Sequence, residues 1–264
     1  MESLQAFNVM VYRQVKRFLR ARSRVVTMMV QPIMWIFFFG LGMGGVFSFN
    51  NPMLDAYMKQ QFGGLDYVTF LTTGVIAMSI FMGSFISGVS VLWDKQFGFL
   101  KETLAAPAPR SLIILGRAIG DALIVLLQGA VIALIAKVVA PGLQIAGLPM
   151  ALGYGFILAI GFISAGVALA TKVTSPEGFH MIVNLLMMPL MFLSGVFFPV
   201  ERMPEWAQWI AKVNPLTYAV DGMRYWLTGK STYSPLLDVT LLTILSIALL
   251  ITAIQAFERT TIED

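Results

Sequence analysis

The sequence predicts an all-α integral membrane protein: six transmembrane helices, an N-terminal amphipathic interfacial helix, and short external helices before the last span. Two observations carry this fold class. Hydrophobic residues make up 58% of the 264-residue chain and charged residues only 12%, about half the charge that a soluble domain uses to cover itself. Six stretches, residues 25–47, 68–92, 119–139, 148–171, 181–198 and 239–257, come close to the roughly 20 apolar residues that a helix needs to cross a bilayer. Residues 1–264 read as one transmembrane domain.

Residues 1–24 come first. Leu4, Phe7, Val11, Val15 and Phe18 recur at helical spacing, while Arg13, Lys16, Arg17, Arg20 and Arg24 cover the opposite face. This pattern predicts a basic amphipathic helix lying among membrane lipids in the headgroup plane; a plain positive flank that fixes topology would also fit it. The apolar run from Val25 exceeds the roughly 7–15 residues of a signal-peptide core, so it reads as a retained span.

Lys and Arg orient the bundle. With the N-terminus inside, the cytoplasmic side collects twelve and the other side six, which puts both termini in the cytoplasm. The net charge of +4 does not point to nucleic acid, because six of the 18 basic residues lie between Arg13 and Arg24, beside the first span. That placement is a topology signal and an anionic-lipid contact.

After the second span, residues 93–111 form a long polar interruption. Asp94, Lys95, Gln96, Phe97, Gly98, Phe99, Leu100, Lys101 and Glu102 alternate charges and aromatics before a Pro107-Ala108-Pro109 stop. Such a segment can pass motion from a cytoplasmic partner into the bundle. Near the cytoplasmic end of the third span, Asp121 sits one turn after Arg117 and predicts an intrahelical ion pair. Asn184 and Pro189 predict a kinked fifth span. Residues 199–237 read as an external helical segment: Met203, Trp206, Ile210 and Val213 form one stripe, and Leu216, Val220, Met223 and Leu227 a second after the break at Asn214-Pro215. Two short helices dipping into the outer leaflet would bury both stripes and set Trp206, Trp209 and Trp226 at the interface; a flat helical lid fits the spacing equally well.

Catalytic chemistry finds no place, and no catalytic residue is predicted. The only histidine is His180, there is no cysteine, and no His/Asp/Glu cluster has metal-ligand spacing, so no metal site is expected. Thr228-Gly229-Lys230-Ser231 resembles the end of a phosphate-binding loop, but Arg224 stands where the first glycine belongs. Carboxylates at mid-span, the usual sign of ion coupling, are also missing. Energy then comes from elsewhere, or the protein is a passive element. Gly40/Gly44, Ser84/Gly88 and Gly116/Gly120 are spaced for close helix approach.

Two regions resemble a known family. DKQFGFLKETLAAPAPRSLIILGRAIGD, residues 94–121, is similar to the run before the third span of ABC-2 type transporter permeases. LSGVFFPVERMPEWAQWIAKVNPLTYAVDGMR, residues 193–224, is similar to their Asn-Pro-Leu-Thr-Tyr segment. With the six-span frame, the resemblance covers nearly the whole chain and is closest to the daunorubicin-resistance and nodulation-factor exporter group. Gln96 departs from it, since the family often has an acidic residue there.

The resemblance implies a permease subunit of an ATP-driven exporter in the cytoplasmic membrane of a prokaryote. It would move hydrophobic, amphipathic or lipid-linked molecules and pair as a homodimer with separate ATP-binding subunits. ATP and magnesium would sit on those partners, with no cofactor on this chain. Asp94, Lys95, Phe97, Gly98, Leu100, Lys101 and Glu102 would form the coupling helix, and the basic face of residues 1–24 would pair with Glu102 or with the ATPase. Spans two and five would line the path, which nominates Phe81, Phe85, Asn184, Met188 and Phe192. An ion-coupled transporter or channel, and a membrane enzyme or assembly scaffold, are the competing readings.

Overall fold

The computed structural model describes residues 2–20, 22–43, 52–97 and 110–258. Every regular element among them is helical. In chain order these are α1 (Glu2–Arg20), α2 (Arg22–Trp35) continued by a π-helical segment (Ile36–Leu41), α3 (Pro52–Gln61), α4 (Tyr67–Ser87), α5 (Val89–Gln96), α6 (Arg110–Ala136), α7 (Leu148–Lys172), α8 (Pro176–Phe192), α9 (Glu205–Val213), α10 (Pro215–Thr228) and α11 (Pro235–Glu258), with short 3₁₀ turns at Ile145–Gly147 and Val200–Arg202.

Among the described residues, four helical stretches are long and apolar enough to cross a membrane: Tyr67–Gln96, Leu112–Ala136, Ile145–Lys172 and Pro235–Glu258. They correspond to the expected second, third, fourth and sixth spans. The expected first span is a shorter apolar helix, Met28–Leu41, with residues 44–50 outside the described residues. The expected fifth span starts earlier than its apolar run suggests, at Pro176, where Ser175 accepts the Gly178 N–H at 3.1 Å. It ends at Phe192, three residues past Pro189, so residues 193–198 turn back instead of extending the helix.

α4 is the centre of the bundle, touching α6, α7 and α10. Asp66 starts it by accepting the Thr69 N–H at 2.9 Å. Three of its hydroxyls bond back to their own helix: Thr73 donates to the Phe70 carbonyl, Ser79 to Ile76 and Ser84 to Ile80, at 2.6–2.8 Å, while the buried Thr69 and Thr72 hydroxyls make no hydrogen bond among the described residues. A helix apolar on every face can be buried all round. Its end is set by contact with α7. A Cβ on Gly88 would lie 2.3 Å from the backbone of Gly166, and one on Gly166 2.5 Å from the Phe85 carbonyl oxygen, so Ser84/Gly88 serves packing within the chain. α11 packs on α7 and α10, and α1 packs on α6.

The two short helices before α11 behave differently from each other. On α9, Trp206, Trp209 and Val213 are 64–69% exposed while Ala207 and Ala211 are buried, as an interfacial helix requires. On α10 the expected lipid-facing stripe is turned inward. Leu216, Val220, Met223 and Leu227 are buried, because α10 lies against α4, α7 and α11. That half of the outer-leaflet expectation is corrected: protein, not lipid, covers the stripe.

Candidate functional site

Asp94 stands in the last turn of α5, one helix beyond the end of α4, with its side chain 6% exposed. A carboxylate so far from water needs cations, and three arginines supply them. Arg117 of α6 reaches it at 2.9 Å, Arg13 of α1 at 3.0 Å and Arg17 of α1 at 3.9 Å. Arg117, itself 7% exposed, also donates to Ser90 Oγ at 2.6 Å, and Ser90 in turn donates to the Ser87 carbonyl. One carboxylate thus ties α1, α5 and α6 together at one end of the bundle.

Two expectations change here. The intrahelical Arg117–Asp121 pair gives way to the pair across to Asp94, whose burial demands the nearest cation. The basic face of α1 is also not wholly turned to headgroups. Arg13 and Arg17 bend in to Asp94, while Lys16 stays exposed over the Tyr12 ring at 5.1 Å and Arg20 is exposed. α1 docks through Met10 and Gln14, both buried. A Cβ on Gly120 would lie 2.9 Å from Gln14 Cβ and 3.3 Å from Val11 Cα, so Gly120 seats α1 on α6. Arg24 falls in α2, its side chain outside the described residues.

Of the expected coupling segment, Asp94, Lys95 and Phe97 are described; Gly98, Leu100, Lys101 and Glu102 lie outside the described residues. The segment divides at its start. Asp94 faces the arginines, whereas Trp93 and Phe97 are 45% and 67% exposed with rings 6.3 Å apart.

The opposite end of the bundle holds a second buried charge that the sequence reading did not single out. Arg224 of α10 is 6% exposed. Its guanidinium donates to Thr73 Oγ1 at 3.1 Å, the Phe70 carbonyl at 3.4 Å and the Gly195 carbonyl at 2.8 Å, and lies 3.8 Å from the Phe70 ring centroid. Burial lowers its pKa to about 10, with Asp221 opposing the shift, so it remains a cation at neutral pH. It clamps α4, α10 and the 193–198 turn. A signal was present: Arg224 falls on the same helical stripe as Val220 and Leu227.

The Asn214-Pro215 break is a double cap. Asn214 accepts the Leu216 N–H at 3.0 Å to start α10 and donates to the Leu190 carbonyl at 2.7 Å, near the end of α8. Tyr218 donates to the Lys212 carbonyl and closes α9. Gly229, in the phosphate-loop-like run, is the left-handed C-cap of α10 (φ 74°).

The pathway candidates separate into two groups. Phe81 and Phe85 of α4 are 0% and 4% exposed and pack on Phe162, at 4.6 and 5.7 Å between ring centroids. On α8, Asn184 is exposed, Met188 is 63% exposed and Phe192 43%. Phe192 stacks on Phe197 at 5.0 Å, which meets Trp35 at 5.3 Å and Phe39 at 6.2 Å. An aromatic cluster therefore joins the π-helical segment, α8 and the 193–198 turn.

This geometry combines a buried ionic tie at one end, a clamped re-entrant turn at the other, and an apolar helix with an open face between them. The sequence profile described as "ABC-2 type transporter" matches residues 5–228. The chain belongs to the ABC-2 type transporter family. It is 30% identical over 230 residues to a putative transport permease, ycf38, of Pyropia yezoensis, covering 84% of this chain and 74% of that one. It is 26% identical over 167 residues to the inner membrane transport permease YadH of Escherichia coli, 63% and 65% of the two chains. It is 31% identical over 160 residues to the probable multidrug ABC transporter permease YbhR of the same organism, 60% and 43%. With its apolar helices, the permease is a multi-pass membrane protein.

Proposed function

We propose that this permease is the membrane subunit of an ATP-driven exporter, working as a homodimer with two separate ATP-binding subunits. The observation that carries the reading is the tie at Asp94. The first residue of the segment expected to dock on the ATPase is anchored to both α1 and α6, so a push on residues 95–104 is delivered to two helices at once. Trp93 and Phe97 offer apolar contact just outside the tie, while Lys101 and Glu102 would set orientation. In this reading ATP and magnesium belong to the partner, and the lysine and arginine asymmetry supports a cytoplasmic Asp94 end.

The exposed faces of the π-helical segment (Phe37, Phe38 and Phe39) and of α8 (Met181, Leu185 and Met188) are the surfaces offered to lipid, substrate or the second copy. Flexible thioethers and aromatic rings suit hydrophobic, amphipathic or lipid-linked substrates of varied shape. Such a surface also agrees with the multidrug naming of YbhR. Phe85 and Met188 should then separate. Phe85→Ala, which empties a packed site, is expected to cost about 3–5 kcal/mol and to lower the amount of folded permease. Met188→Ala leaves stability within about 0.5 kcal/mol and changes which substrates are exported. An unchanged export profile for Met188→Ala at normal expression would return that residue to lipid contact.

The test of the reading is Glu102→Arg, with the permease co-expressed beside its ATP-binding partner. Insertion should be normal while ATP-driven export falls at least tenfold. Wild-type export by this variant would remove residues 94–104 from the coupling role.

A further inference from the structure

The first span carries a break, and a side chain one hundred residues away is fitted to it. Pro32 lies inside α2 and has no N–H, so the carbonyl four residues earlier, on Met28, loses its helical donor. Gln128 of α6 supplies one: its Nε2 donates to the Met28 carbonyl at 2.7 Å. The glutamine is 3% exposed, and among the described residues its Oε1 accepts no hydrogen bond. It borders a cavity of about 90 Å³ lined by Gln31, Pro32, Ser79, Met82 and Gly83, roomy enough for water to serve that oxygen. A smaller cavity of about 40 Å³, bordered by Gln14, Arg17, Ser90 and Asp121, shares Met28 and Gly83 with it. Beyond Pro32 the helix passes into the π-helical segment Ile36–Leu41. A proline that frees a carbonyl and a π-helical segment within ten residues mark a hinge.

We propose that Gln128 is a positioning residue for transport: it holds the proline break of the first span in register with α6, so that displacement of the Asp94–Arg117 tie moves the outer half of that span. This rests on the reading of the chain as an ATP-driven permease. Arg117 and Gln128 stand eleven residues apart, three helical turns, and so share one face of α6. The same helix that receives the ionic tie at its start grips the freed carbonyl of the first span further along. The amide also fits the task chemically. It donates to a carbonyl without bringing a charge into the bundle, and its remaining oxygen is left to polar contacts that can exchange during movement.

The experiment uses the full permease with its ATP-binding partner in proteoliposomes, a fluorescent lipophilic probe that wild type moves, and thermal unfolding of the same preparations. Gln128→Leu should lower both melting temperature and probe transport, the latter about tenfold. Pro32→Ala returns a backbone N–H to the Met28 carbonyl, so Gln128→Leu/Pro32→Ala should recover the melting temperature while transport stays low. Recovery of transport together with stability would make Gln128 a structural plug and overturn the inference, as would wild-type transport by Gln128→Leu alone. A wild-type complex that moves no probe under ATP would instead overturn the permease reading, and the positioning role with it.

Discussion

Asp94→Asn is expected to abolish ATP-driven export and to lower the melting temperature of the permease. The substitution keeps shape but withdraws the one negative charge shared by Arg13, Arg17 and Arg117. Arg13 and Arg17 are 31% and 37% exposed and can turn to water or headgroups. Arg117 cannot, so the cost concentrates there: a buried cation left without its partner is destabilising by about 3–5 kcal/mol. Removing both members relieves that penalty. Asp94→Asn/Arg117→Gln should therefore melt close to wild type, a large non-additivity of the kind contacting residues show. Export should remain lost in the double variant, because α1 and α6 are no longer tied to the coupling segment. Additive losses of stability would mean that the arginines lean on other partners.

The second large effect is expected at Arg224. Arg224→Met strips donors from the Phe70 and Gly195 carbonyls and from Thr73 Oγ1. The Gly195 carbonyl loses its donor, while Thr73 and the Phe70 carbonyl keep the bond they make to each other; the orphaned carbonyl costs about 1–3 kcal/mol, enough to loosen the 193–198 turn from α4. Arg224→Lys should recover little, since an ammonium has neither the planar fork that meets three oxygens nor the flat face that stacks on Phe70. Melting temperature and the yield of monodisperse protein in detergent check this. A lysine variant as stable as wild type would show that the charge alone, not the fork, holds the turn.

Helix type and approximate position were legible for the four long spans, because an uninterrupted apolar run states its own length. The ends were less so, and for physical reasons. The third span begins at Leu112 rather than at residue 119, because Arg117 can be buried once Asp94 neutralises it. α10 reads as an interfacial helix by spacing, yet its stripe is covered by α4, α7 and α11; amphipathicity tells that a face is buried, not what buries it. The basic helix at the N-terminus was readable, while Asp94 stood only as one residue of the polar segment after the second span. That the two meet was not readable, because pairing across 81 residues leaves no local trace. Gln128 and Pro32 show the same limit: neither stands out along the sequence, and only the fold brings amide to carbonyl.

The most direct measurement is the ratio of probe transported to ATP hydrolysed in proteoliposomes, comparing wild type with Asp94→Asn/Arg117→Gln assembled with the same ATP-binding partner. A coupling tie at Asp94 predicts that the double variant still folds and still hydrolyses ATP, while transport per ATP falls at least tenfold. An unchanged ratio in a properly assembled complex would contradict the central claim and reduce the Asp94 tie to packing.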